Sequence, residues 1–233
     1  MADFLLVHGA WHGAWCWQRL IPPLWASGHR VFAVTLTGLG ERAHLLSKSI
    51  TLDTHIADVV KVIVTEELLD PILVGHSYGG VVITGAADRL AQRLRHLVYL
   101  DAMVLRPGES WSSAHTPEIQ AARRQAIAEH GGTLPAPDPA AYGLTGADHA
   151  WVARRQTPQP GGVYDTPLNF DPQTLQALPR TFIDCTSPAL PTIAVARQRV
   201  RSEPGWHVVK IPTGHDAMIS APQALLDVLL TLA

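Results

Sequence analysis

The sequence predicts an α/β fold with a mostly parallel, doubly wound sheet of about six strands. Short continuous apolar runs, such as residues 4–7, have the length of strands and suit strands that are covered on both faces. These runs alternate with segments of helical period, and this alternation is typical of parallel strands joined by right-handed helical crossovers. The 233 residues are an ordinary length for one domain of this class.

The predicted elements follow one another in a regular order. In the first half we expect a strand at 4–7, a helix at about 17–26, a strand at 30–36, a helix at 51–63, a strand at 72–74, a helix after residue 77 to about 93 and a strand at 97–100. Near the C-terminus we expect a strand at 180–186, a helix at about 191–203, a strand at 206–211 and a helix from 222. Catalytic residues of such sheets lie on loops at the carboxyl ends of strands.

The composition changes after the fourth predicted strand. Residues 131–172 hold seven of the 18 prolines and six of the 18 glycines, and they show only short helical patches. Such a segment cannot form a layer of the sheet, because proline lacks the N–H that a central strand needs. We therefore expect a single domain, residues 1–233, with an irregular cap inserted at about 105–176 and entered by a helix near 117–130.

Charge and composition exclude several classes of partner. The formal net charge is −2 and the arginines are scattered, so neither nucleic acid nor an anionic membrane surface is expected to bind. No apolar run approaches the ~18 residues of a membrane span, and the first residues are interpreted as a strand and not as a signal peptide. Two cysteines far apart in sequence suit a reducing cytoplasm better than a disulfide scaffold.

The strongest chemical signal lies at residues 71–80, Pro-Ile-Leu-Val-Gly-His-Ser-Tyr-Gly-Gly. Gly-x-Ser-x-Gly here follows an apolar run and precedes a helical segment. A serine at so sharp a turn adopts a strained backbone conformation, and the flanking glycines let strand and helix pass closely enough to expose its hydroxyl. Ser77 is therefore the predicted nucleophile, and the alternative is a tight turn with a solvated serine.

A serine nucleophile needs a histidine to remove its proton and a carboxylate to orient that histidine. Of the 12 histidines, His215 follows the last predicted strand, where this motif requires its base. His8, His12 and His76 are interpreted as structural.

The loop after the first strand is the second candidate part of the site. We expect the backbone N–H groups of Ala10 and Tyr78 to hold the substrate oxyanion. A dinucleotide site is disfavoured, because the glycines stand at positions 9 and 13 and do not form Gly-x-Gly-x-x-Gly.

Four segments together resemble a known family. They are His8-Gly-Ala-Trp-His-Gly-Ala-Trp, Gly75-His-Ser-Tyr-Gly-Gly, Ile183-Asp-Cys-Thr and Gly214-His-Asp-Ala-Met. These segments resemble the α/β-hydrolase family, in particular the branch of plant methylesterases and hydroxynitrile lyases and bacterial esterases such as those that hydrolyse carbendazim. The resemblance spans both halves of the core and leaves the cap poorly matched. It implies an α/β-hydrolase fold, no cofactor, and a small ester or ester-like substrate. We also expect no metal site.

The position of the triad carboxylate differs from that in the plant branch. In that branch an aspartate follows a Cys-Thr pair, but here Cys185-Thr186 leads into residues 187–190 without an acid. Haloalkane dehalogenases and some lipases carry the acid at the end of the strand after the nucleophile helix, where this chain has Asp101. Asp101 is therefore the predicted acid of the triad. Asp184 stays the alternative, and Asp216 is interpreted as a surface or helix-entry residue.

The resemblance predicts a carboxylesterase-type serine hydrolase that works through an acyl-enzyme. Hydrolysis of carbamates, amides or lactones by the same residues stays open, as does a non-catalytic small-molecule receptor. Hydroxynitrile lyases of the family carry a lysine after the histidine and a threonine in the first loop. This chain has Asp216 and Ala10 at those positions, which disfavours lyase activity.

Aromatic residues outside the motifs are candidates for an apolar substrate pocket, although isolated aromatics are also common in plain core packing. These candidates are Trp11, Trp111, Trp151, Tyr142 and Phe170. The sequence leaves the oligomeric state open, with a homodimer as one alternative.

Overall fold

The computed structural model describes all 233 residues and is built on one large parallel sheet. In chain order the strands are β1 (Asp3–Val7), β2 (Arg30–Val34), β3 (Ile72–His76), β4 (His96–Leu100), β5 (Thr133–Leu134), β6 (Gln159–Pro160), β7 (Arg180–Cys185) and β8 (Trp206–Ile211). The large sheet has the order β2-β1-β3-β4-β7-β8, and all neighbouring strands in it are parallel. The predicted sheet of about six strands is confirmed.

Helices connect the strands, as the alternating pattern predicts. They are α1 (Ile21–Ala26), α2 (Leu52–Thr65), α3 (Gly79–Leu90), α4 (Pro117–Glu129), α5 (Gly146–Ala153), α6 (Pro172–Gln176), α7 (Ala194–Ser202), α8 (Ala217–Ser220) and α9 (Pro222–Leu230). Thr51 forms a capping box ahead of α2, and a proline occupies the first turn of α4 and of α9. None of the helices combines the length and the apolar content that a bilayer crossing requires.

Several predicted boundaries differ from the structure by a few residues, and two of these differences have a clear physical reason. The first predicted helix is divided into a single 3₁₀ turn, Ala14–Trp17, and α1. The division follows from Pro22 and Pro23, because proline is tolerated only in the first turn of a helix. The second strand ends earlier than predicted, at Val34, because its only neighbour in the sheet ends opposite it.

The strand register determines where the site can form. The central strands β1, β3 and β4 are buried throughout apart from His96. Leu100 at the end of β4 pairs with His76 on one side and with Ile183 of β7 on the other. The loops that follow β3 and β4 therefore leave the sheet side by side at its carboxyl edge.

The segment between β4 and β7 contains α4, α5, α6 and the two short strands β5 and β6. The helix predicted near 117–130 is present as α4, whereas the antiparallel pairing of β5 with β6 was not predicted. Each of these strands has two residues and β6 ends in Pro160, so neither produces a periodic pattern in the sequence. Trp11 attaches the segment to the core, because its indole N–H donates to the carbonyl of Leu134 at 3.0 Å.

Candidate active site

Ser77 lies in the turn between β3 and α3. Its φ of 53° falls in the left-handed region that residues other than glycine rarely adopt. The surrounding backbone holds this conformation: the N–H of Ser77 donates to Leu100 at 3.2 Å, and its carbonyl accepts from Met103 at 3.0 Å. Ser77 keeps part of its surface exposed, whereas His76 and Tyr78 on either side are buried.

Three glycines make this turn possible by their lack of a side chain. A Cβ on Gly75 would lie 2.7 Å from the carbonyl oxygen of Gly79, and a Cβ on Gly79 would lie 2.7 Å from that of Val7. A Cβ on Gly80 would approach the carbonyl of Met103 to 2.5 Å. Because backbone atoms cannot move aside cheaply, only glycine permits strand and helix to pass so closely.

Asp101 and His215 are brought together at the same edge of the sheet. Asp101 directly follows β4, His215 lies in the loop after β8, and both side chains are buried. Nδ1 of His215 lies 2.7 Å from Oδ2 of Asp101. A carboxylate can only accept, so the proton belongs to Nδ1 and the other ring nitrogen, Nε2, carries the lone pair. This is the tautomer that a base for Ser77 requires.

The second oxygen of Asp101 contacts an arginine. Oδ1 of Asp101 accepts from Nη2 of Arg197 at 2.6 Å, and Nε of the same guanidinium donates to Oδ1 of Asp184 at 2.6 Å. Arg201 pairs with the other oxygen of Asp184. Both oxygens of Asp184 are thus held by arginines, and only Asp101 contacts the histidine.

Sequence reasoning missed Arg197. It lies on the buried side of α7 beside Ala196 and Val200. Two signals could have identified it: a carboxylate within the apolar strand β7, and an arginine on the apolar face of the following helix. A buried charge is stable only when it is paired, so each of these residues implies the other.

Asp216 is fully buried, so its interpretation as a surface residue is wrong, although it does immediately precede α8. Its Oδ2 lies 3.2 Å from Nε2 of His12, and its Oδ1 lies 3.4 Å from Nε2 of His76. The ring of His76 is also 4.5 Å from that of His215. These side chains form a buried layer behind His215 and pack against the loop that carries it.

Burial and charge act in opposite directions within this layer. Burial opposes ionisation of Asp216, but His12, His76 and His215 lower the pKa of its carboxyl to about 2. Burial also opposes a charge on His12, yet the Asp216 carboxylate raises the pKa of this histidine above its ordinary value. Burial and the neighbouring His215 lower the pKa of His76 well below its usual range. The layer therefore favours a charged His12–Asp216 pair beside a neutral His76.

His76, His215 and Asp216 also present nitrogen and oxygen atoms within 4.8 Å of one another, which is close enough for a metal ion. However, Nδ1 of His215 is engaged by Asp101, and Oδ2 of Asp216 is engaged by His12. The donor set suits a hydrogen-bonded network better than a metal centre. That no metal or cofactor takes part stays a prediction.

The loop after β1 passes against the nucleophile turn. A Cβ on Gly9 would lie 2.8 Å from Cβ of Ser77, so glycine is needed at this point. The backbone N–H groups of Ala10 and Tyr78 donate no hydrogen bond within the protein. By contrast, the N–H of Trp11 donates to the side-chain oxygen of Gln159 at 3.0 Å. The two predicted oxyanion donors are thus unpaired beside Ser77.

Three of the five candidate pocket aromatics lie beside these groups. The ring of Trp111 is 5.3 Å from that of Tyr78 and 5.6 Å from that of Trp11. The ring of Tyr142 is 5.5 Å from that of His215. Tyr142 also accepts a hydrogen bond through its carbonyl from the backbone N–H of His215, at 3.0 Å.

The other two candidate aromatics occupy different surroundings. Trp151 packs edge-on against Trp15, at 5.0 Å between ring centroids. Phe170 lines a separate cavity of about 290 Å³ together with Tyr99, and Ser77 does not line that cavity. Phe170 therefore belongs to a cavity other than the surroundings of the nucleophile.

Comparison with known proteins identifies the family. Residues 4–228 match the model described as "Alpha/beta hydrolase family". A carbendazim hydrolyzing esterase from Nocardioides sp. (strain SG-4G) is 41% identical over 241 aligned residues, which cover 100% of each chain. The chain belongs to the α/β hydrolase family. The resemblance predicted from the four motifs is confirmed.

Two further proteins are similar to this α/β hydrolase, one in part of its sequence and one in its structure. An alpha-hydroxynitrile lyase from Arabidopsis thaliana is 38% identical over 102 residues, which cover 43% of this chain and 40% of that protein. A solved extracellular alpha/beta-hydrolase from a Paenibacillus species has a TM-score of 0.89 at 20% identity and covers 100% of this chain and 99% of its own. At that identity the structural likeness shows the fold alone.

Proposed function

We propose that this α/β hydrolase is a serine esterase that cleaves small carboxylic esters, with Ser77, His215 and Asp101 as its catalytic triad. The observation that carries the proposal is the 2.7 Å contact between Nδ1 of His215 and Oδ2 of Asp101, because it leaves Nε2 of the histidine free to act on Ser77. Family membership and the full-length likeness to an esterase support the same activity.

The reaction follows from the positions of these groups. Oγ of Ser77 attacks the ester carbonyl while Nε2 of His215 takes the hydroxyl proton, and Asp101 stabilises the imidazolium that forms. The N–H groups of Ala10 and Tyr78 hold the oxyanion. His215 then returns the proton to the departing alcohol, which leaves an acyl group on Ser77. Water, with its proton taken by His215, releases the acid and restores the serine.

Arg197 is a positioning residue in this scheme. It holds Oδ1 of Asp101 and thereby directs Oδ2 to the histidine. The same guanidinium is anchored by Asp184 and by the carbonyl of Leu190, at 2.6 and 2.7 Å. A carboxylate fixed in this way loses little entropy when the imidazolium forms, which is how preorganised groups lower a barrier.

The comparisons support ester hydrolysis and none of the alternatives that the sequence left open. For the lyase, the structure adds a physical argument. The position that carries a lysine in hydroxynitrile lyases is held here by Asp216, a buried carboxylate already paired with His12. A cation beside His215 is thus replaced by an anion, which suits an imidazole that must become positively charged during hydrolysis.

We also propose that the enzyme has a cap over its active site and works in the cytoplasm. Residues 105–176 act as the cap that closes over Ser77, since Trp111 and Tyr142 of this segment lie beside Tyr78 and His215. A reducing cytoplasm would keep Cys16 and Cys185, both buried and free, as thiols. Homodimerisation is tested by light scattering, where a dimer would show twice the chain mass of 25.2 kDa.

A hydrolysis screen tests the activity. The protein and its Ser77→Ala variant would be assayed on aryl and alkyl esters, lactones, carbamates and amides, with the melting temperature as the control for folding. We expect turnover of small esters and its loss in Ser77→Ala by several orders of magnitude, roughly 10⁴-fold or more. A folded Ser77→Ala variant that retains most of the activity would refute the proposal.

A further inference from the structure

Arg123 in α4 is a half-buried cation without a carboxylate partner. Its guanidinium lies over the rings of Trp111, Tyr164 and Trp11, at 5.3, 5.7 and 5.8 Å from their centroids. Its Nη1 is buried and has no hydrogen-bond partner. Burial lowers the pKa of Arg123, and no carboxylate lies near enough to oppose this shift.

The adjacent Arg124, in the same helix, has the carboxylate partner that Arg123 lacks. Arg124 is exposed, and its Nε and Nη2 donate to the two oxygens of Asp165 at 3.0 and 2.9 Å. A guanidinium is normally paired in this bidentate way when it is held in one place. Aromatic rings hold Arg123 in place instead. Its guanidinium N–H groups therefore remain available to another molecule.

Arg123 lies close to the proposed catalytic groups. Trp111, which packs under its guanidinium, also packs against Tyr78, the residue after Ser77. On the other side, Tyr142 lies near enough to Arg123 to influence its pKa, and the ring of Tyr142 is 5.5 Å from that of His215. The guanidinium therefore belongs to the cap wall that spans the nucleophile turn and the histidine.

Other polar groups of this wall are also buried without a partner. They are the hydroxyl of Tyr142, Nε2 of Gln159 and Nε2 of His115. Gln159 and His115 each use their other polar atom within the protein, on Trp11 and Tyr164. Buried polar groups are rarely left unpaired in native proteins, because each costs free energy. A concentration of them beside a nucleophile indicates that a bound ligand supplies the missing partners.

We propose that Arg123 binds a carboxylate of the substrate, so that the preferred esters are monoesters of dicarboxylic acids. This inference rests on the proposed esterase function. A carboxylate offers two acceptors in the geometry of the guanidinium fork, and the surrounding aromatic rings hold that fork in place. The bound carboxylate takes no part in the chemistry. Ser77 displaces the alcohol from the distant ester group, and water then releases the dicarboxylic acid from the acyl-enzyme.

Matched esters test this preference. The substrates are the monomethyl esters of succinic to suberic acid, each compared with the dimethyl ester of the same acid. Chain length varies along the series, and within a pair the free carboxylate is replaced by a second, neutral methyl ester. For the length that spans the site, we expect a higher kcat/KM for the monoester. Arg123→Gln should lower this kcat/KM roughly 10–100-fold, mainly through KM, and change that of the diester by about twofold or less.

Two variants serve as controls. Arg123→Lys keeps the charge and should retain part of the preference, while Arg124→Gln on the same helix should leave it unchanged. The melting temperature of each variant shows whether the cap still folds. Equal kcat/KM for mono- and diesters at every length, or a preference for diesters, would overturn the inference and leave the esterase function standing.

A binding measurement separates the two proposals. In Ser77→Ala the monoester is not consumed, and its binding can be followed by tryptophan fluorescence, since Trp11 and Trp111 lie against Arg123. Adding Arg123→Gln to this variant should weaken binding of the monoester roughly 10–100-fold. If the protein hydrolyses no ester, the esterase function fails, and this titration still decides whether Arg123 holds a carboxylate.

Discussion

The carboxyl edge of the sheet and the cap, the segment between β4 and β7, differ in how their buried charged atoms are paired. At the sheet edge, Asp101 is fully buried and both of its oxygens are paired, one with His215 and one with Arg197. In the cap, Arg123 carries a buried Nη1 that nothing in the protein pairs. In the proposed mechanism, the groups that perform the same step for every substrate are paired within the protein, whereas the groups that bind the substrate are paired only when it is present.

The difference also concerns stability. Buried ion pairs cost desolvation that their attraction roughly offsets, so the Asp101–Arg197–Asp184 network is explained better by positioning than by stabilisation. An unpaired buried group costs free energy outright until a ligand arrives. Substitutions at the sheet edge should therefore affect turnover or folding strongly, and substitutions of unpaired cap groups should affect mainly substrate binding.

The largest effect is expected at Asp101. Asp101→Asn keeps the shape of the side chain but no longer fixes the tautomer of His215 or stabilises the imidazolium, so kcat should fall by about 10⁴. The measurement is kcat on the best ester of the screen, with the melting temperature recorded for the same preparation. Near-normal turnover in a folded Asp101→Asn variant would remove Asp101 from the triad.

Asp184 should behave differently although it contacts the same arginine. In Asp184→Asn, Asp101 keeps its contact with Arg197, so kcat should stay within about tenfold of its original value. The free energy of unfolding should fall by roughly 3 kcal/mol, because the buried Arg197 loses one of its two counter-charges. Denaturant titration measures this loss. A folded but inactive Asp184→Asn variant would reverse the two assignments.

The proposed catalytic groups at the sheet edge could be identified from the sequence because their signals are local. Ser77 belongs to a short motif, and chain order with the end of a strand selects His215 and Asp101. The burial of Asp216 could not be read in this way, since its partner His12 is 204 positions away along the chain. Arg123 gave no signal at all, because only the path of the cap brings its helix over the aromatic rings.

Acid should unfold the protein through histidines of the core. Burial lowers the pKa of His8 to about 3 and that of His55 to about 4, so both stay neutral in the folded state. The unfolded chain takes up these protons near the ordinary pKa of ~6.5. Stability is thus lost as the pH falls below about 6.5, and each histidine adds about 1.4 kcal/mol per pH unit to the slope.

Denaturant titrations at several pH values between about 6.5 and 4.5 measure that slope. His55→Gln removes one of the titrating groups, so its slope should be lower by about 1.4 kcal/mol per pH unit. His130→Gln is the matched control, since this histidine is exposed. If His55→Gln and the original protein show the same slope, His55 is not held neutral by the fold.

The smallest effect on stability is expected at Tyr142. Its hydroxyl is buried and unpaired, so Tyr142→Phe removes no hydrogen bond of the protein. The free energy of unfolding should stay within about 0.5 kcal/mol or rise, whereas KM for the best ester should increase. Urea unfolding and steady-state kinetics give the two values. A loss of stability well above 1 kcal/mol would show that the hydroxyl is satisfied within the protein and that the cap resembles the sheet edge.

The central claim is that Ser77 is the nucleophile and His215 its base, and covalent labelling tests it most directly. The protein would be treated with a fluorophosphonate, and the labelled peptide would be identified by mass spectrometry. We predict one adduct, on Ser77, and labelling slowed at least about 100-fold in a folded His215→Gln variant. An adduct on another residue, or undiminished labelling of Ser77→Ala, would contradict the assignment.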